Sequence, residues 1–167
     1  QPFPACSTLL NRLRIRYSEL TTHKLSSPQG KKKGKKGDED SDWTWRELTE
    51  LVKFSKSPLQ KSLLPLESPE LNKVAVECFL QIMRYMGDYP MAKGVLEVEC
   101  VYALLSTLHK YPVLHDEIYC QIMKQCTNNK SSRSDSCQKG WRLFSIITAY
   151  FDCSENLRPY LFHFLNT

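Results

Sequence analysis

Residues 68–88 read SPELNKVAVECFLQIMRYMGD, and the fold follows from how that run is punctuated and filled. Ser68 is a natural N-cap, and Pro69 falls at the first helical position, where its missing N–H costs nothing. Gly87 supplies the stop. Between those marks Lys73, Glu77, Gln81, Arg84 and Asp88 form one narrow polar stripe. Val76, Phe79, Leu80 and Met83, with Ala75, Cys78, Ile82 and Met86, cover the remainder. So wide an apolar face needs neighbours on several sides, which predicts a central helix.

Toward the C-terminus, Val101, Leu104, Leu105 and Leu108 recur at helical spacing and predict a helix over 95–111. Pro112 ends it, because the residue before a proline is pushed out of helical geometry. The next helix is predicted from Leu114 to Cys126, with Asp116 and Glu117 in its first turn, where acids complement the dipole. Glu117, Gln121 and Lys124 are expected to continue its polar side, opposite Ile118, Ile122 and Cys126. Asn128 to Ser136 is a polar loop. Trp141 to Phe151 is apolar nearly all round, so it is predicted to be buried. A last helix should start near Asn156, leaving Pro159 in its first turn, and carry Tyr160, Leu161, Phe164 and Leu165. Gln81-Ile82-Met83-Arg84 is echoed by Gln121-Ile122-Met123-Lys124, too short a match to define a repeat. Strand patterns are almost absent. Helices joined by such short connections pack as antiparallel neighbours, so the expected fold class is all-α: a compact bundle of helical hairpins, a short solenoid-like stack.

Toward the N-terminus, Leu48, Leu51, Val52 and Phe54 predict a short helix over 46–54, ended by Pro58. Trp43 and Trp45, like Trp141, are expected to anchor the core. Residues 23–42 are a different material. Ser-Ser-Pro-Gln-Gly leads into Lys31-Lys32-Lys33-Gly34-Lys35-Lys36-Gly37 and then Asp38-Glu39-Asp40. No core can be built from that composition, which predicts a disordered loop. Residues 5–22 carry Leu9, Leu10, Leu13, Ile15, Tyr17 and Leu20 among arginines and suit a helical extension. The expected organisation is therefore 1–22 extension, 23–42 loop and 43–167 folded domain.

The net charge of +5 divides unevenly along the chain. Residues 1–37 hold nine Lys and Arg against one acid, whereas residues 38–167 hold fourteen against seventeen. The basic excess thus belongs to the N-terminal segment, and the folded part lacks the basic stripe that nucleic-acid binding requires. With 167 residues, 41% apolar and 25% charged, the chain can bury one ordinary core. No run of eighteen apolar residues occurs, so no transmembrane segment is expected, and no signal segment opens the chain. A first residue of Gln1 leads us to expect a piece of a longer protein. Cys6, Cys78, Cys100, Cys120, Cys126, Cys137 and Cys153 form no CxxC pair and no metal-like spacing. Reduced cytoplasmic thiols, with no metal and no cofactor, are the expectation.

His115-Asp116 near Cys120 is the one constellation that invites a catalytic reading. Positions five apart do not stack on a helix, and no strained turn presents the thiol. GxGxxG, P-loop and HExxH patterns are missing. No catalytic residue is assigned, and an enzyme is not expected.

Three stretches stand out: Tyr85-Met86-Gly87-Asp88; Asp116-Glu117-Ile118-Tyr119-Cys120-Gln121 with Lys124-Gln125; and Gly140-Trp141 followed by an apolar helix and Leu157–Leu165. Together they resemble the myosin tail homology 4 domain of unconventional myosins and some plant kinesins. A weaker match joins Phe54-Ser55-Lys56-Ser57-Pro58 to Ser62-Leu63-Leu64. The Asn129–Cys137 loop and Lys110-Tyr111-Pro112 are most similar to a class XV myosin tail. The lysine-rich insertion and His115 depart from the family pattern. The resemblance implies an all-helical, non-catalytic module beside a FERM domain, associated with the cytoskeleton and binding cargo or adaptor proteins. An alternative is microtubule attachment, with Lys53, Lys56 and Lys61 near the domain's start meeting acidic tubulin tails. Most motif residues have structural explanations: Gly87 as a helix stop, Asp116 and Glu117 as dipole partners, Trp141 as core.

Overall fold

The computed structural model of this chain describes residues 52–166. The expected 1–22 extension, the 23–42 loop, Trp43, Trp45 and residues 46–51 of the first predicted helix lie outside them. Val52 is helical, but the chain has left helical geometry by Phe54, ahead of Pro58.

The described residues form α1 (Pro69–Met86), α2 (Glu97–Lys110), a 3₁₀ turn (Pro112–Leu114), α3 (His115–Cys126), α4 (Ser136–Tyr150) and α5 (Arg158–Leu165), with no strand among them. α1 starts where its cap dictates: the Ser68 hydroxyl accepts from the N–H groups of Glu70 and Leu71 at 3.2 and 3.4 Å. It stops at Gly87, whose φ of +80° is the left-handed geometry glycine tolerates best. At the start of α2, Glu99 reaches back to accept the Leu96 N–H at 2.8 Å.

α1 packs against α2, α3 and α4, and α3 packs against α4, so two helical hairpins share the central helix. One apolar cluster runs through the molecule. It joins Ile82 and Met86 of α1 to Leu104 and Leu108 of α2, Ile118 and Ile122 of α3, Leu143 and Ile147 of α4, and Leu161 of α5. The turn between α2 and α3 carries its own repair. Pro112 has no N–H to offer the Leu108 carbonyl. His115 Nε2 lies 3.1 Å from that oxygen instead, and its Nδ1 lies 3.2 Å from the Asp152 carbonyl. His115 thus sits between the end of α2 and the stretch of chain leading to α5, where a neutral ring donates to one of the two carbonyls.

Two expectations are corrected. α4 is buried on one face only, through Gly140, Leu143, Phe144 and Ile147. Trp141 is 39% and Tyr150 72% exposed, so apolar composition all round did not mean burial all round. Conversely, the polar side of α3 does not face solvent. Glu117, Gln121, Lys124 and Gln125 are all buried, because an extended segment of the chain covers them.

Candidate interaction site

That covering segment, Lys53–Leu66, is gripped through its main chain. The Gln125 carboxamide accepts the Ser55 N–H at 2.9 Å and donates to the Ser55 carbonyl at 3.1 Å, pairing with that residue as a neighbouring strand would. Lys124 Nζ donates to the Lys53 carbonyl at 2.7 Å, and the Phe54 N–H reaches the Thr127 carbonyl at 3.0 Å. The Glu117 carboxylate accepts two successive N–H groups, from Leu63 at 2.8 Å and Leu64 at 2.6 Å. Gln121 Nε2 braces the array by donating to Glu117 Oε1 and to the Ala75 carbonyl of α1. Burial pushes the Glu117 carboxyl above the usual glutamate range, although the Leu63 N–H, Gln121 and the Leu64 N–H all pull the other way. The segment carries Lys53, half-buried, and Lys56 and Lys61, both exposed.

A second focus gathers two of the sequence stretches. Met86 is buried at the end of α1, and Tyr85 packs half-buried beside it on the core. A Cβ on Gly140 would stand 2.7 Å from Cys126 Sγ and 2.8 Å from Met86 Cε, so α4 approaches both helices through the missing side chain. Asp88 accepts from the Ser136 hydroxyl at 2.7 Å and from the Ser131 hydroxyl, pinning the loop between α3 and α4. Asp116 does the same for the α4–α5 connection, accepting from Ser154 N at 2.8 Å and Ser154 Oγ at 2.6 Å. Asp116 and Glu117 therefore hold other segments, beyond any help they give the helix dipole. Ile118 is core, and Tyr119 donates to the Phe151 carbonyl at 2.7 Å while its ring meets Phe144 edge-on.

The third feature is a groove between α4 and α5. Trp141 stacks on Phe164 at 5.3 Å, and Phe162 (57% exposed) and Leu165 (49%) stand beside it. The tryptophan is a surface anchor and not a core residue. Burial pushes the Cys78 and Cys126 thiols up to about 12 and Cys120 well above the ordinary thiol value, which makes these three poor nucleophiles.

The sequence stretches that name these residues did not disclose their contacts. Ser131, Ser136 and Ser154 were missed as partners because loop serines carry no periodic signal. The clamp did have one. Glu117, Gln121 and Gln125 recur every four residues as a thin polar line on a helix whose Ile118, Tyr119, Cys120, Ile122 and Met123 are all buried.

Fold and site together define an all-α hairpin domain with an extended segment strapped across one helix by its backbone. Residues 101–167 match the family model of the MyTH4 domain. The chain is 48% identical to human unconventional myosin-XV over 120 residues, 72% of this chain and 3% of that protein. It is 40% identical to human unconventional myosin-XVB over 129 residues, 77% of this chain and 4% of that protein. Among solved structures it resembles the myosin VII MyTH4-FERM MF2 domain of Dictyostelium discoideum, with a TM-score of 0.70 at 25% identity over 96% of this chain and 29% of that one. It also resembles the human myosin 7b C-terminal MyTH4-FERM domain in complex with harmonin-a PDZ3 domain, with a TM-score of 0.60 at 36% identity over 65% of this chain and 22% of that one. The chain belongs to the MyTH4 domain family, in the form carried by unconventional myosins.

Proposed function

We propose that this domain is a non-catalytic tail module of a cytoskeleton-associated motor that binds cargo or adaptor proteins in the cytoplasm, jointly with an adjacent FERM domain in the same chain. The observation that carries this reading is the exposed aromatic face of the α4–α5 groove, where Trp141, Phe162 and Leu165 stand in solvent. Aromatic anchors of that kind, half-buried and rigidly backed, are the residues from which protein interfaces draw most of their affinity. The human myosin 7b relative, whose MyTH4-FERM domain is in complex with harmonin-a PDZ3 domain, supports a protein partner. Buried thiols held far from their reactive range support a binding role over catalysis.

The test compares this chain with a longer tail containing the next domain, titrated calorimetrically against a cargo protein at one ionic strength. Much tighter binding by the longer tail is expected. Equal affinity would make the module a self-sufficient binder and end the shared-surface reading.

A second reading rests on the lysines of the strap. Lys53, Lys56 and Lys61 ride on one surface-running segment, with Lys56 and Lys61 exposed, and an acidic tubulin tail is the partner they fit. Co-pelleting with microtubules that weakens steeply with added salt would support it, since exposed charges are screened within about 10 Å at 0.1 M salt. Salt-insensitive pelleting, or none, would remove it.

A further inference from the structure

The segment Lys53–Leu66 and the surface beneath it are mismatched in an informative way. No residue from 52 to 68 is fully buried, whereas Glu117, Gln121, Lys124 and Gln125 under it are. Among the described residues, six hydrogen bonds hold the segment to α3 and Thr127 through its main chain. Asn72 of α1 adds two at its far end, accepting from the Ser62 hydroxyl at 2.6 Å and donating to the Leu66 carbonyl at 3.4 Å. Lifting the segment would therefore uncover a carboxylate, an ammonium and two carboxamides, all of which water solvates well. Rehydration of Glu117 and Lys124 offsets much of what the lost hydrogen bonds contributed. Gln121 Oε1, which accepts no hydrogen bond from the described residues, would gain one from solvent. The opposing force is modest: Leu63, Leu64 and Leu66 are only partly buried against the core. The helices have no such escape, since parting them exposes Ile82, Leu104, Ile122 and Leu143, which are fully buried.

We propose that Lys53–Leu66 is a latch that lifts from α3 while the helical bundle stays folded, opening as a cooperative unit of its own. Local opening below the global unfolding free energy belongs to segments with few buried apolar contacts, which describes this one and none of α1 to α4.

Native-state hydrogen exchange on the whole chain, followed by NMR through sub-denaturing urea, tests this. The Phe54, Ser55, Leu63 and Leu64 amides are the reporters for the latch, and those of Ile82, Leu104 and Ile122 for the bundle. The latch amides should be protected yet exchange about 100-fold faster than the bundle amides or more, with a shallower urea dependence. Equal rates with equal urea dependence would mean that the latch opens only when everything unfolds, and the proposal fails. A complete lack of protection would mean no latch closes, and it fails equally. Gln125→Ala gives an independent measurement: latch exchange should accelerate roughly tenfold or more with bundle exchange unchanged. Acceleration of both sets alike would overturn the proposal. If that variant does not fold, the urea series on the unsubstituted chain still decides.

Discussion

A methyl group at position 140 would have to share space with Cys126 Sγ and Met86 Cε. Met86 is fully enclosed and the cysteine sulfur has a single torsion to turn, so neither yields cheaply. Gly140→Ala is expected to destabilise the fold by about 1–3 kcal/mol, seen as a lower urea midpoint with an unchanged slope. Glu117 makes a second prediction, about pH. Its folded carboxyl titrates above the unfolded value because of burial. Such a group contributes its stability fully below the unfolded glutamate range and loses it as pH rises through the raised folded value. Glu117→Gln lacks that loss. The variant's stability relative to the parent should therefore rise as pH increases from about 4, where an ordinary glutamate titrates, to about 7. Urea titrations at four or five pH values check it; a flat difference would mean that Glu117 titrates as it does unfolded. Residue types were legible at these positions and contacts were not. The tetrapeptide ending in Gly87-Asp88 showed the helix stop, but nothing local says that Asp88 holds Ser131 and Ser136 from 43 and 48 residues away.

Among the elements, α1 was the most legible because its ends are written in short-range chemistry. Ser68, Pro69 and Gly87 each act within a few residues, so no tertiary knowledge is needed to place them. Ser68→Ala should cost about 1 kcal/mol by removing the acceptor for the Glu70 and Leu71 amides, while Ser68→Gly should cost only a few tenths. Thermal melts of the two variants, run side by side, separate the lost cap from a general loss of packing: equal melting temperatures would deny the cap its role. α4 was less legible for the opposite reason. An apolar residue states what it can bury, and whether it does so depends on what arrives opposite. Tyr150 and Trp141 face solvent because α5 is only eight residues long and covers little of α4. In α3 the error ran the other way, since a polar line on a helix ordinarily faces water. There the covering partner is another stretch of main chain, whose demand for hydrogen bonds periodicity does not reveal.

At the scale of the whole molecule, the composition of residues 23–42 predicts that trypsin cuts first within Lys31–Lys36. Lys73, Arg84, Lys110 and Lys124 sit on helices that share one core, so they should be cut last. A time course analysed by mass spectrometry checks the order, and early cleavage between 70 and 126 would contradict the shared core. The clamp on the strap has a further consequence, for how such a domain changes over evolutionary time. Its α3 side chains hold backbone, which every amino acid except proline supplies in full, whereas Asn72 of α1 also meets the Ser62 hydroxyl. Strap positions held only through backbone can therefore change side chain without losing the path, whereas Ser62, bonded to Asn72 through its hydroxyl, is tied to its identity. The match to the MyTH4 family model, residues 101–167, contains Glu117, Gln121, Lys124 and Gln125 and none of the strap. Relatives whose N-terminal segments look unlike this one can follow the same route across the third helix wherever that helix keeps its glutamate and two glutamines in step. In such a lineage the helix is the heritable record, and the strap only its transcript.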